Sequence, residues 1–281
     1  MKNILVLTDF SENAKAAELY ALQLATIFRA HFMLYNAYPI YTVPVSDTVI
    51  WPHDQTVSLE YQSLSNLQYR VDELKSHLKN LPAGAYKPAI DHLNNAGNVE
   101  NQLNEVIKEN NIWLVIMGTK GESLSSNVLF GSNVFRVLAT AGVPVLIIPS
   151  KSVCENLKHI VYATDFRNTD VSIIKWLKDF SRQIKAELSV IHVSGDTSSN
   201  MVENDKSLAE AISGSAGDAV QIKYFHQKSI SESLLQMEKE MNIDMLAMMH
   251  RKHGFFDNLF HGSTTHKVIR HTEIPILVFP G

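Results

Sequence analysis

The sequence lacks the features that mark several large classes of protein. Cys154 is its one cysteine among 281 residues, so no intrachain disulfide can form and a reducing cytoplasm is the expected location. No apolar run approaches the roughly 20 residues that cross a bilayer, and the run before Thr8 is too short for the core of a signal peptide. The net charge of -4 shows no basic excess of the kind that nucleic-acid binding needs. We therefore expect a cytoplasmic globular protein that binds neither membranes nor nucleic acids.

Glycine is also scarce, with 12 residues in the whole chain, yet one short stretch, MGTKGESLSSNVLFGS, holds Gly118, Gly121 and Gly131. A residue without a Cβ is needed where the chain turns at positive φ or where another atom comes close. Gly118 ends an apolar run, and Gly131-Ser132 begins a helical pattern whose first amides suit an anion such as phosphate. The alternative is that these glycines are turn and capping residues, with Ser132 only an N-cap.

The chain repeats itself. KNILVLTDF near the start matches KHIVYATDF in the second half, and the paired runs VPVLIIP and IPILVFP end the two halves. This order predicts two tandem domains, residues 1–150 and 157–281, rather than a short solenoid repeat. The repeat offset is 156 at Asp9 and Asp165 but 131 at the end of each half, so the first half carries about 25 extra residues. We place them between Tyr38 and Leu67 and predict a long ordered loop, because the segment is too apolar for a disordered linker.

Each half alternates short, nearly continuous apolar runs with helical patterns. Runs such as NILVLT and IWLVIMG are typical of strands buried on both faces of a parallel sheet. The alternation predicts an α/β fold with a doubly wound, Rossmann-like parallel sheet in each domain. Ligands of such sheets bind outside the carboxyl ends of the strands, which is where the glycine-rich stretch falls.

These residues resemble a known family. The pattern G-x-x-G-x(9)-G-[ST], together with TDFSE after the first strand, is similar to that of the universal stress proteins, and the likeness covers both halves. The resemblance implies a tandem, bacterial-type universal stress protein with an adenine nucleotide alpha-hydrolase-like fold. It further implies that the domains pair through their last strands, as an intrachain pseudo-dimer.

The resemblance also implies a nucleotide site in the first half. The glycine loop and the Gly-Ser helix start would hold the phosphates, Asp9 would contact the nucleoside, Ala37 would line the adenine pocket and Met117 would lie close to the ribose. Asp9 has an alternative role, because an aspartate two residues before Ser11 can help to cap the first helix. The full set of implied binding residues is Thr8, Asp9, Ala37, Met117, Gly118, Gly121, Gly131, Ser132, Asn133 and Val134.

The second half departs from this pattern. Gly118 and Gly121 correspond to Met249 and Lys252, or to His250 and His253 if the loop contains a one-residue gap, so both glycines are lost. Side chains there would occupy the space of a phosphate, and we expect no ATP bound in this half by the same mode. Asp165 and Gly262-Ser263 persist, and Arg251 and Lys252 leave open an anion held by side-chain charge.

Histidines crowd into the same segment. A structural metal is a minor hypothesis there, because the positive charges of Arg251 and Lys252 oppose a cation and Asp257 is the only carboxylate nearby. We predict solvated surface histidines and no metal site. The histidines concerned are His250, His253, His261, His266 and His271.

The function predicted from the sequence is regulation rather than metabolism. The sequence has no Walker A motif and none of the signatures of adenylating enzymes, although Lys120 and Glu122 could assist slow hydrolysis. We predict an ATP-binding stress-response protein that also accepts AMP or ADP, leaving Mg²⁺ and the protein partner undefined. A ligand-free interaction scaffold and a weak ATPase are the alternatives, and homodimerisation through the apolar insertion at 49–52 is a further expectation.

Overall fold

The structure is a computed structural model of the chain. It describes residues 1–40, 43–45, 48–50, 53–119, 132–150, 152, 154, 157–164, 170–194, 221–226, 237, 241–250 and 273–281. The chain divides into two compact units, Met1–Ser150 and Lys151–Gly281. Within the described residues no helix is both long enough and apolar enough to cross a membrane.

The first unit is built on five parallel strands. Its elements in chain order are β1 (Asn3–Leu7), α1 (Glu12–Phe28), β2 (His31–Tyr38), β3 (Val43–Val45), β4 (Thr48–Ile50), α2 (His53–Lys79), β5 (Ile90–Ala96), α3 (Val99–Glu109), β6 (Ile112–Gly118), α4 (Ser132–Thr140) and β7 (Val145–Ile148). The strand order β7-β6-β1-β2-β5 confirms the prediction of a doubly wound sheet. The chain moves outward from β1 in one direction and then, from β6, in the other. Its switch point therefore lies between β1 and β6, where such sheets bind ligands.

The central strands are buried over most of their length because helices cover both faces. Ile4, Leu5 and Val6 in β1 are completely buried, as are the residues at 114–116 in β6. Helix α1 packs with α2, and α3 packs with α4. Right-handed crossovers on the two sides of β1 place these pairs on opposite faces of the sheet. The near-continuous apolar runs in the sequence follow from this double covering.

The prediction of a long loop between Tyr38 and Leu67 is wrong. Strands β3 and β4 pair as an antiparallel hairpin, and α2 starts at His53. The β-branched residues of VPV and TVI suit short strands. The helix is hard to predict because none of residues 57–62 is buried, so this part of it carries no apolar stripe.

The second unit has the same architecture. Its described elements are β8 (His159–Thr164), α5 (Asp170–Ile184), β9 (Glu187–Ser194), β10 (Gln221–His226), β11 (Met245–Met249) and β12 (Ile276–Phe279). Their strand order is β10-β9-β8-β11-β12, again with every described pair parallel. This is the order of the first unit, strand for strand.

The repeat extends to strand register. In the first unit Leu7 pairs with Met117, and in the second Ala163 pairs with Met248. Because Ala163 lies 156 residues after Leu7 and Met248 lies 131 after Met117, these pairs reproduce the two offsets found in the sequence. The backbone geometry therefore aligns the halves residue by residue up to the strand ends.

The repeat also extends to backbone conformation and hydrogen bonds. Arg29 and Lys185, at corresponding positions after α1 and α5, adopt left-handed φ values of 51° and 60°. Across the strands, the Asn36 Nδ2 donates to the Thr8 carbonyl at 2.7 Å, and the His192 Nδ1 makes the same link to the carbonyl of residue 164 at 3.0 Å. A polar side chain from the second strand thus ties down the end of the first strand in each unit.

Candidate functional site

The carboxyl ends of β1, β2 and β6 bring several of the predicted binding residues together. Leu7 pairs with Met117 on one side and with Tyr35 on the other, so Thr8, Ala37 and Gly118 lie just beyond the same line across the sheet. Met117 is buried, whereas Ala37 and Gly118 are partly exposed at the edge. The sheet topology thus places these residues at the switch point.

A tight turn joins β1 to α1 and contains Asp9. Ser11 is the N-cap of α1, and its Oγ accepts a hydrogen bond from the Ala14 amide at 3.2 Å. The Asp9 Oδ1 in turn accepts from the Ser11 amide at 3.1 Å and from the Ser11 Oγ at 2.6 Å. Asp9 is exposed and supports the capping residue rather than being the cap itself. The capping alternative weighed for Asp9 therefore has a structural basis.

The turn contains a strained residue. Phe10 has a φ of 66°, a left-handed conformation that is unusual for a bulky side chain. Its amide donates to the Thr8 Oγ1 at 3.0 Å, which holds the residue in that conformation. Strain of this kind costs about 1–2 kcal/mol and persists where surrounding contacts fix it. The position of Asp9, between Thr8 and Phe10, depends on these contacts.

Thr8 is fixed on three sides by protein groups. Its amide donates to the Tyr35 carbonyl at 2.9 Å and its carbonyl accepts from Asn36. Its Oγ1 donates to the Glu18 Oε1 at 2.7 Å. Asn36 is itself anchored, because its Oδ1 accepts from the Ser63 Oγ of α2 at 2.8 Å. The hydroxyl of Thr8 is thus directed into the protein.

Gly118 has no space for a side chain because the backbone of another part of the protein lies against it. A Cβ at this position would lie 2.7 Å from the Asn13 carbonyl oxygen and 3.0 Å from its carbon, both backbone atoms of the first turn of α1. Gly118 has no positive φ, so it is not required for a turn. The bare backbone that the sequence analysis related to a phosphate is needed for the close approach of β6 and α1.

Helix α4 begins at Ser132, as the sequence predicted. Asn133 is exposed in its first turn, whereas Val134 is buried. Its first turn has no acidic residue, in contrast with α1, where Glu12 occupies the first turn. Gly121, Gly131, Lys120 and Glu122 lie outside the described residues.

A cluster of charged side chains around the buried Glu18 contacts the turn between β1 and α1 through Thr8. Glu18 is 0% exposed, and its Oε2 accepts from the Arg70 Nε at 2.9 Å and Nη2 at 2.6 Å. Arg70 also donates to Glu73 at 2.7 Å, and Glu73 accepts from Lys15 at 2.8 Å. Burial raises the pKa of Glu18, although the bonds from Thr8 and Arg70 oppose this. The hydrogen bond from Lys15 is the main cause of the lowered pKa of Glu73.

Sequence reasoning missed this cluster. A signal existed, because Glu18 falls four residues after Ala14 and four before Leu22, on the buried side of α1. A carboxylate on an apolar helix face is buried only with a partner. The partner, Arg70, lies 52 residues away on α2, a helix that was not predicted from the sequence.

At the corresponding strand end of the second unit, a side chain replaces the glycine. Gly118 pairs with Ile148 and Met249 pairs with Phe279, which are matching positions in the two sheets. Of the two alignments left open by the sequence, the gap-free one with Met249 is therefore confirmed for the strand end. Met249 is buried, and His250 follows the strand.

The other predicted positions of the second unit lie outside the described residues. They are Asp165, Arg251, Lys252, His253, Asp257, His261, Gly262, Ser263, His266 and His271. In the part of the chain that the structure describes, no three His, Cys, Asp or Glu side chains are grouped so as to hold a metal.

Comparison with known proteins identifies the family. The model of the universal stress protein family matches residues 1–149 and again residues 156–280. The chain belongs to the universal stress protein family. The resemblance seen in the sequence is thereby confirmed, in its tandem form.

Individual relatives agree with this assignment along the whole chain. A universal stress protein of Synechocystis sp. is 22% identical over 291 residues, covering 99% of this chain and 100% of the relative. The crystal structure of a universal stress protein from Archaeoglobus fulgidus has a TM-score of 0.76 at 21% identity, covering 99% of this chain and 98% of that one. A functionally unknown protein from Pseudomonas aeruginosa has a TM-score of 0.60 at 15% identity, covering 100% and 92%. At these identities the structural likeness shows the fold alone.

Proposed function

We propose that this universal stress protein is a stress-response regulator whose first unit binds an adenine nucleotide, ATP, ADP or AMP, in the reducing cytoplasm. The observation that carries the proposal is the meeting of the Thr8-Asp9 turn with Met117 and Gly118 at the switch point between β1 and β6. The sequence has one cysteine, Cys154, so no intrachain disulfide can form, which agrees with a reducing compartment.

The phosphates belong at α4 rather than at α1. The start of α1 is capped by Ser11 and carries Glu12 and Asp9, whose charges repel an anion. The first turn of α4 has no acidic residue, and Ser132, together with the exposed Asn133, lies at its amino end. The first amides of a helix have no partner within the helix, and the positive end of the helix dipole favours negative charge. Because the bare backbone of Gly118 already accommodates Asn13, we assign the close phosphate contacts to Gly121 and Gly131.

The nucleoside belongs at the ends of β1 and β2. Ala37 is small and partly exposed beyond the point where β2 is held by Thr8, so it leaves room for a flat ring. Asp9 is exposed after the end of β1, and a carboxylate accepts hydrogen bonds from ribose hydroxyls. Since the Asp9 Oδ1 is held by Ser11, the carboxylate is oriented before a ligand arrives. Mg²⁺, where it accompanies the nucleotide, takes phosphate and water oxygens as ligands.

The second unit serves mainly as a pairing or regulatory module. Met249 occupies the strand end that Gly118 occupies in the first unit, and its side chain fills space there. The first glycine of the nucleotide motif is therefore missing from the second unit. The predicted pairing of the two units through their last strands stays a prediction.

The test is isothermal titration of the full chain with ATP, with and without Mg²⁺. We expect one site per chain, abolished by Gly121→Glu, which places a carboxylate where phosphate would lie. Two sites per chain would show that the second unit also binds, and absence of heat at several temperatures would favour the ligand-free scaffold. Chromatography of the nucleotide after incubation distinguishes a binding protein from the weak ATPase, because only the latter accumulates ADP.

A further inference from the structure

Burial of the Glu18 carboxylate is energetically unfavourable for the first unit. Its side chain is 0% exposed, and transfer of a carboxylate from water into a protein interior is unfavourable unless it is paired and hydrogen-bonded. Arg70 supplies two hydrogen bonds and Thr8 a third. Even a well-made buried ion pair is commonly no more stabilising than apolar residues of similar volume. Fold stability alone is therefore a weak explanation for this pair.

The second unit shows that the fold can do without it. The position that corresponds to Glu18, at the offset of 156 residues, is occupied by Ile174, which is 2% exposed on α5. The correspondence is secure because Arg29 and Lys185, at the ends of the same two helices, repeat the same left-handed conformation. The unit with the intact glycine motif thus has a buried carboxylate where the degenerate unit has isoleucine.

The Glu18–Arg70 pair contacts the turn that carries Asp9. A chain of hydrogen bonds runs from Arg70 to Glu18, from Glu18 to the Thr8 hydroxyl, and from that hydroxyl to the amide of Phe10. These bonds fix the residues on both sides of Asp9. Without the carboxylate, the Thr8 hydroxyl has no acceptor in this direction and the strained conformation of Phe10 loses a support.

We propose that Glu18 and Arg70 are positioning residues of the nucleotide site, which hold the Thr8–Ser11 turn so that Asp9 meets the nucleoside. This inference rests on the proposed nucleotide binding of the first unit. Helix α2, which carries Arg70, then contributes to nucleotide binding through its bonds to Glu18. Glu73 pairs with both Arg70 and Lys15, so the cluster alternates two positive with two negative side chains.

The experiment uses the full chain and the double variant Glu18→Ile/Arg70→Met. It gives the first unit the isoleucine of the second and replaces the ion pair with apolar side chains, so the fold should persist. We expect a melting temperature within a few degrees of wild type and a Kd for ATP raised about tenfold, the effect of losing one oriented hydrogen bond. The control is Asp179→Leu/Arg182→Met, which removes an exposed pair on α5 and should leave Kd unchanged.

The outcomes separate this inference from the function on which it rests. A double variant that melts like wild type and binds ATP with unchanged Kd overturns the positioning role while leaving nucleotide binding intact. If wild type itself binds no ATP, the proposed function fails and this inference with it. If the double variant does not fold, Thr8→Val removes only the hydroxyl link. A Kd raised severalfold then supports positioning, and an unchanged Kd overturns it.

Discussion

The backbone of Asn13 lies so close to Gly118 that no side chain fits between them. A Cβ on Gly118 would lie 2.7 Å from the Asn13 carbonyl oxygen, closer than real Cβ atoms come to backbone. The contact joins the end of β6 to the first turn of α1. A glycine at a binding site is therefore not always a ligand contact.

Substitution of Gly118 by alanine should destabilise the first unit whether or not a nucleotide is present. The added methyl group must push β6 away from α1, which costs about 1–3 kcal/mol, as overpacking of a core does. Urea unfolding in the absence of nucleotide measures the effect. Gly142→Ala is the matched control, because a Cβ there would meet only Asn104 at an ordinary 3.7 Å. Equal stabilities for the two variants would contradict this account.

Glycine should stabilise the ends of α1 and α5. Arg29 and Lys185 adopt left-handed conformations that strain any residue with a Cβ, and Arg29 is exposed. Arg29→Gly removes the strain, and after the entropy cost of glycine we expect a gain of about 0.5–1 kcal/mol. Thermal unfolding of Arg29→Gly and Lys185→Gly measures it. Glycine at the exposed Glu105, inside α3, should cost about 1 kcal/mol, and a loss at Arg29 as well would refute the prediction.

The sequence predicts the sheet well because its signals are local. Continuous apolar runs, the repeated Thr-Asp-Phe and the matching Val-Pro-Val and Ile-Pro-Ile segments are visible without knowledge of contacts, and they led to the correct strand type and tandem organisation. Helix α2 and its contacts with the rest of the unit were not predicted. Residues 57–62 of α2 are not buried, and the Glu18–Arg70 pair joins residues 52 apart in the chain.

The sequence also does not show which atoms come close to the glycines of the motif. The pattern of Gly118, Gly121 and Gly131 shows that bare backbone is needed but does not show what comes close to it. For Gly118 the structure gives an answer, which is the Asn13 carbonyl. For Asp9, the alternative capping role that the sequence left open is partly realised, because the carboxylate holds Ser11.

The contribution of Glu73 to stability should depend on pH. Its pKa is lowered, mainly by the hydrogen bond from Lys15, with the charge of Arg70 acting in the same direction and partial burial opposing them. A lowered pKa means that the stabilisation is present above the ordinary value of 4.5 and is lost as the pH falls through the folded-state pKa. Glu73→Gln should therefore destabilise the protein at pH 7, and the difference from wild type should shrink steadily below pH about 4.5. Urea unfolding at several pH values measures this, and a pH-independent difference would rule it out.

Enlargement of Ala37 should block the nucleotide without disturbing the sheet. Ala37 is partly exposed at the carboxyl end of β2, where the adenine pocket is proposed, so a larger side chain extends into the ligand space rather than into the core. Ala37→Leu should raise the Kd for ATP at least about tenfold while changing the melting temperature little. The repeat supplies the control, because Val193 occupies the corresponding position in β9 and Val193→Leu should leave ATP binding unchanged. If Ala37→Leu binds ATP as wild type does, the nucleoside lies elsewhere than at the ends of β1 and β2, and a loss of binding in Val193→Leu would instead place a nucleotide in the second unit.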